Sequence, residues 1–219
     1  MAQVHYFAFN PFSENTYIIY DESNECVILD PGCYTEAERQ TLSNYINDNN
    51  LKPVRLINTH CHIDHVLGNY YVAEKYQLSL EIHEGEIPVL ESVEMVAQMY
   101  GIPQVKKSPD PDPEKFISEG DLIEFGNTKL EALFTPGHSP ASISFYCEED
   151  NFLIGGDVLF QGSIGRTDLP GGNFDTLMKS ITDKFMSLPD NVVVYSGHGN
   201  PTTIGVERKT NQFILNYCS

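Results

Sequence analysis

The chain has 219 residues, enough for one large domain or two small ones with a sizeable core. It carries 31 acidic against 13 basic residues, a formal net charge of −18, which repels phosphate backbones and argues against nucleic acid as a partner. No unbroken apolar run approaches the roughly 18 residues of a membrane span. Residues 1–11 lack the basic and apolar regions of a secretory signal. The five cysteines, Cys26, Cys33, Cys61, Cys147 and Cys218, are scattered and form no Cys-x-x-Cys pair. The expectation is a reduced, cytoplasmic protein away from membranes.

Taken in chain order, residues 4–9, 16–20 and 26–30 are rich in β-branched and aromatic side chains and predict three strands, separated by polar turns such as 21–24. Asp30-Pro31-Gly32 ends the third. Residues 35–47 follow a helical period with Ala37, Leu42, Tyr45 and Ile46 as the inner face. A strand over 54–58 then enters the segment 59–65. A short helix over 66–76 and a strand over 78–83 follow. Pro88 opens a helix to Tyr100, with Leu90, Val93, Ala97 and Tyr100 on one face and Gly101 and Pro103 closing it. The run KKSPDPDPE, residues 106–114, reads as an exposed loop. In the second half, strands are expected over 122–125, 129–134, 142–146 and 152–155. Phe174, Leu177, Met178, Ile181 and Phe185 mark an amphipathic helix ended by Pro189, before a strand over 192–196 and a final helix over 205–216. Strand runs with helices in each half predict an α/β architecture around two packed sheets, as one domain over 1–219.

Three of the seven histidines, His60, His62 and His65, fall within six positions with Asp64 among them, after a strand and before a helix. Imidazole nitrogens and carboxylate oxygens are suitable zinc ligands, and without a metal three imidazoles have little physical reason to crowd one turn. His138 in TPGHSP, Asp157 in IGGDVLF and His198 in YSGHGNP each follow a predicted strand and are flanked by glycine or proline. Such turns let the backbone approach a shared centre. Each of the three taken singly also fits a surface turn. Cys61, inside the cluster, reads as buried filler, and His5 and His83 lie off the pattern and read as structural.

The ordered set His-x-His-x-Asp-His, His, Asp, His resembles the metallo-β-lactamase superfamily over essentially the whole chain. The stretches Gly155–Phe160, Gly162–Gly172 (GSIGRTDLPGG) and Ser196–Thr203 look most like the short, single-domain branch of glyoxalase II-type hydrolases. The resemblance implies an αββα four-layer sandwich. It implies one metal on His60, His62 and His138, a second on Asp64, His65 and His198, and Asp157 bridging the two. Two zinc ions, or iron or a mixed pair, would then lower the pKa of a shared water and polarise a carbonyl, with Asp64 as ligand and as the residue orienting the hydroxide. A thiolate leaves with little need of a proton, so the expected reaction is hydrolysis of a small-molecule thioester of the S-acyl-glutathione type. Arg166 is the expected contact for a substrate carboxylate, against a local pair with Asp168. A persulfide dioxygenase with one iron on His60, His138 and Asp157 is the alternative reaction, and a non-catalytic metal-binding module the alternative class. A zinc β-lactamase of the common type has cysteine where Asp157 stands.

Overall fold

Strand β1 (Gln3–Phe9) forms an antiparallel hairpin with β2 (Glu14–Tyr20), which pairs antiparallel with β3 (Glu25–Leu29). The chain here is a computed structural model, describing residues 1–102 and 105–217. Helix α1 (Glu36–Asp48) starts at a capping box: Thr35 Oγ1 accepts from the Glu38 amide while Glu38 Oε2 accepts from the Thr35 amide at 2.7 Å. That start fixes the helix phase and buries Leu42, Ser43 and Ile46. Ala37, expected inside, is exposed because it lies about 140° round the helix from Leu42. Strand β4 (Lys52–Ile57) then pairs parallel with β3.

The expected helix over 66–76 is two: α2 (Ile63–Val66), which begins inside the histidine motif, and α3 (Asn69–Tyr76). Gly68 separates them. Its amide donates to Pro31 O at 2.6 Å, and a Cβ there would lie 2.5 Å from Cys33 Sγ, so only glycine permits this approach. Strand β5 (Leu80–Glu81) is shorter than expected because its partner β4 ends at Ile57, opposite Glu81; the Leu80 and Ile82 carbonyls accept from the amides of Asp112 and Ile117. Helix α4 (Ile87–Met99) carries a proline in its first turn and buries Val93 and Ala97. Tyr100, expected on that face, is exposed, and Pro103 lies outside the described residues. Within the loop over 106–114, Ser108 is buried and accepts from Asn69 Nδ2 at 3.2 Å.

The second half holds β6 (Leu122–Phe125), β7 (Thr128–Phe134), β8 (Ile143–Cys147), β9 (Phe152–Gly156), the small hairpin β10 (Leu159–Phe160) and β11 (Ser163–Ile164), helix α5 (Phe174–Ser180), β12 (Val193–Ser196), β13 (Thr202–Thr203), and helices α6 (Ile204–Thr210) and α7 (Gln212–Tyr217). Helix α5 continues as a wider turn, Ile181–Phe185, in which the Met186 amide reaches Ile181 O. The final helix breaks at Asn211, whose side chain accepts from the Phe213 amide and so competes with the helical ladder. Strands β10, β11 and β13 were not foreseen, being two residues long each.

Contacts divide the chain into two units, Met1–Ile117 with Glu124–Lys129, and Ser118–Ile123 with the chain from Leu130 onward. The first contains a mixed sheet in the order β1-β2-β3-β4-β5; the other sheet is β13-β12-β9-β8-β7-β6, also mixed. In the first unit Ile18, Ile28, Leu56 and Leu80 of the sheet pack with Leu42, Val72 and Val93 of the helices. In the second, Leu153 and Val194 pack with Leu177, Phe185 and Ile204.

Candidate metal centre

In the first unit the parallel pair β3 and β4 ends on one edge, where the Asp30 amide donates to Ile57 O at 2.9 Å. The chain beyond β4 carries Asn58, Thr59, His60 and His62 into α2, which holds Asp64 and His65. His60 and His65 are wholly buried, and Asp64 and His62 half-buried. The His60 ring centre lies 4.1 Å from that of His65 and 4.8 Å, edge-on, from that of His62. Asp30, the residue just after β3, orders this cluster from a positive φ of 49°. One carboxylate oxygen accepts from the Thr59 amide at 2.7 Å; the other takes the Thr59 hydroxyl at 2.6 Å and faces His65 Nδ1 at 3.1 Å. With its Nδ1–H donating to the Asp30 carboxylate, His65 keeps a lone pair on Nε2, which faces Asp64 Oδ2 at 3.8 Å. Donor atoms of Asp30, His60 and His65 lie within 4.8 Å of one another.

Two groups brace this turn and a third, Glu14, lies beside it. Asn10 Nδ2 donates to the Asp64 and Gly32 carbonyls, at 3.0 Å each. Glu86, fully buried, accepts from the Cys61 amide at 2.9 Å. Glu14, also fully buried, takes the Thr16 hydroxyl at 3.0 Å, and burial holds its carboxyl well above the usual carboxylate range. Cys61 turns its side chain into the hydrophobic core, where burial pushes the thiol up, so it is packing and not a nucleophile. His5 stacks on Tyr45 at 3.8 Å and His83 Nδ1 accepts from the Gly85 amide at 2.9 Å, the structural roles expected of them.

In the second unit β9 and β12 are parallel, and β7 runs in the same direction because two antiparallel steps separate it from β9. Their three C-terminal ends therefore share one edge, and His138, Asp157 and His198 follow those ends. His138 Nδ1 lies 2.8 Å from Arg166 O. A carbonyl can only accept, so the proton is on Nδ1 and the Nε2 lone pair faces Asp157 Oδ2 at 3.4 Å. His198 Nε2 faces the same oxygen at 3.6 Å. Two ligands on one tetrahedral zinc, with bonds of about 2.0–2.2 Å, lie about 3.3–3.6 Å apart. Lone pairs opposed at that spacing repel unless a cation or proton lies between them. The donor set, with one Asp157 oxygen facing two imidazoles, therefore suits a divalent ion.

Arg166 reaches His138 through its carbonyl. Its guanidinium grips Asp168 in two-point fashion, at 2.7 and 2.6 Å, and both side chains are more than half exposed. On helix α6, Arg208 donates to the Met186 and Leu188 carbonyls, and both Arg208 and Lys209 pair with Asp190. Asp30, Glu14 and Glu86 were missed in the sequence. Asp30 carried a signal, a carboxylate at a strand end in Asp-Pro-Gly, that reads equally as a turn.

The family model of the metallo-beta-lactamase superfamily matches residues 9–198. The chain belongs to that superfamily. It is 37% identical over 205 residues to the hydroxyacylglutathione hydrolase GloC of Haemophilus influenzae, covering 93% of each chain. The crystal structure of the BLEG-1 B3 metallo-beta-lactamase superposes with a TM-score of 0.87 at 32% identity, covering 97% of this chain and 99% of that one. TTHA1623 in a di-iron-bound form superposes with a TM-score of 0.85 at 34% identity, covering 96% and 100%. This superfamily member therefore has the metallo-β-lactamase fold, two mixed sheets with flanking helices, and carries histidine and aspartate clusters suited to metal ions. Among its described residues no helix is long and apolar enough to cross a membrane.

Proposed function

We propose that this protein is a metal-dependent hydrolase of small acyl-thioesters, of the S-acyl-glutathione type, working as one domain over residues 1–219. The observation that carries the reading is the pair of imidazole nitrogens opposed to one Asp157 oxygen at 3.4 and 3.6 Å. The likeness to GloC supports the substrate class. From the ligand order of the family, His60, His62 and His138 take one ion, Asp64, His65 and His198 the other, and Asp157 both. Zinc or iron bound there supplies Lewis acidity, a water made nucleophilic near neutral pH and a polarised carbonyl.

The chain's own residues do the rest. Asp30 and the Arg166 carbonyl each hold an imidazole Nδ1 proton, which fixes His65 and His138 as Nε2 donors. Asp64 orients the attacking water. Arg166 exchanges Asp168 for a substrate carboxylate, and at an exposed pair this exchange costs little. The departing thiolate needs no general acid. Four buried free thiols, Cys26, Cys33, Cys61 and Cys147, suit a reducing compartment, and we place the protein in the cytoplasm.

The test offers zinc- and iron-loaded protein an acyl-glutathione, a cephalosporin, and glutathione persulfide with an oxygen electrode. Thiol release from the first, lost in Asp64→Ala, is the expected result. Turnover of either other compound with no thiol release refutes the proposal.

A further inference from the structure

Glu207 lies inside α6 with no solvent exposure, and none of the roles above uses it. Its carboxyl group accepts three hydrogen bonds. Oε1 takes the Thr202 hydroxyl at 2.6 Å; Oε2 takes the Gly162 amide at 2.9 Å and Asn211 Nδ2 at 2.8 Å. Asn211, buried as well, also donates to Ser163 O at 3.0 Å. Gly162 and Ser163 belong to the β10–β11 hairpin, which begins two residues after Asp157. That hairpin runs on through Gly165, whose amide donates to Val158 O, to the Arg166 carbonyl on His138 Nδ1. Thr202 pairs with Val194 in the strand that leads to His198 and lies four residues beyond that histidine. The same two segments meet again where Ser196 Oγ donates to Leu159 O at 2.6 Å and the Gly197 amide to Gly156 O at 2.8 Å. One buried carboxyl group thus joins the segments that carry Asp157 and His198, and the first of these also holds His138 through the Arg166 carbonyl.

We propose that Glu207 is a positioning residue of the metal centre: by holding the Gly162 amide and the Thr202 hydroxyl on one carboxyl group it sets the spacing of His138, Asp157 and His198, and with it the affinity for the ion. The inference rests on the ligand assignment given under the proposed function. It does not depend on the thioester.

The chemistry of the three partners separates positioning from charge. A glutamine at 207 keeps an oxygen for the two N–H donors, and the Thr202 hydroxyl can turn to accept from its amide. Glu207→Gln therefore keeps the clamp, Glu207→Ala removes it, and Thr202→Val cuts only the arm toward His198. Zinc affinity is measured by competition with a chromophoric chelator, and the fold by circular dichroism and thermal melting of the metal-free protein. Glu207→Ala and Thr202→Val should weaken zinc binding about 10-fold, the low end of the effect of losing a group bonded directly to a ligand, with Glu207→Gln within about threefold of wild type. If Glu207→Ala does not fold, Thr202→Val decides. Variants that melt earlier without any change in zinc affinity would make the clamp merely structural and overturn the proposal, as would a glutamine variant as weak as the alanine one. Wild-type protein that takes up zinc but releases no thiol would sink the thioesterase reading alone; wild type that takes up no zinc would sink both.

Discussion

A single methyl group, introduced by Gly165→Ala, provides a severe test of the geometry around Asp157. A Cβ at position 165 would lie 1.9 Å from Asp157 O and 3.2 Å from His138 Cβ, where ordinary contact begins at 3.4 Å. The backbone must yield by about 1.5 Å, the difference between 3.4 and 1.9 Å. Its two ways of yielding both reach the centre. Moving Asp157 outward shifts its carboxylate from the two imidazoles it faces at 3.4 and 3.6 Å. Moving the 165–166 segment instead pulls the Arg166 carbonyl away from His138 Nδ1, now 2.8 Å distant, and releases the tautomer that offers Nε2. A misplacement of about 1 Å can cost about 100-fold in rate, and loss of an outer-sphere partner about 10–100-fold in metal affinity. The assay is zinc competition together with initial rates of thiol release at saturating zinc. Gly165→Ala with wild-type affinity and at least half the wild-type rate would refute the geometric reasoning.

Asp30→Asn should weaken metal binding by about 10–100-fold and lower the melting temperature, since the carboxylate that orders Thr59 and His65 is gone; chelator competition and a thermal melt check both. Arg166→Ala should raise KM about tenfold for a carboxylate-bearing acyl-thiol and leave an uncharged thioester unchanged, read from steady-state kinetics on the two substrates. Asp21 tests stability. Burial pushes its carboxyl up, but hydrogen bonds from Ser23, Thr128 and Asn127 outweigh this and bring it down to about 2. A depressed folded-state pKa gives stability that is present above the unfolded value near 4 and lost as pH falls through about 2. Asp21→Asn should therefore be less stable by about 2 kcal/mol at pH 7, the gap closing as the pH drops from about 4 toward 2, as measured by urea unfolding at both ends of that window.

The donors of the centre could be read in the sequence because their chemistry is local: His60, His62, Asp64 and His65 crowd one turn, and His138, Asp157 and His198 sit in glycine-flanked turns after strands. The groups that hold those donors could not. Asp30 lies 35 residues from His65, and Glu207 lies 45 from Gly162, and each acts only because strands bring those segments together. The longer strands were legible from their β-branched runs, whereas the two-residue strands β10, β11 and β13 were not, and helix boundaries depended on contacts no periodicity reveals. Gly68 breaks the helix after His65 because Pro31 and Cys33 press against it, and Asn211 breaks the last helix because its side chain serves Glu207 and the Phe213 amide.

The most direct test is the metal-to-protein ratio of exhaustively dialysed protein, determined by elemental analysis for the wild type and for Asp157→Ala. About two ions per wild-type chain, falling to one or none in the variant, is the expected result. A wild-type chain that holds no ion, or a variant that keeps both, would contradict the account.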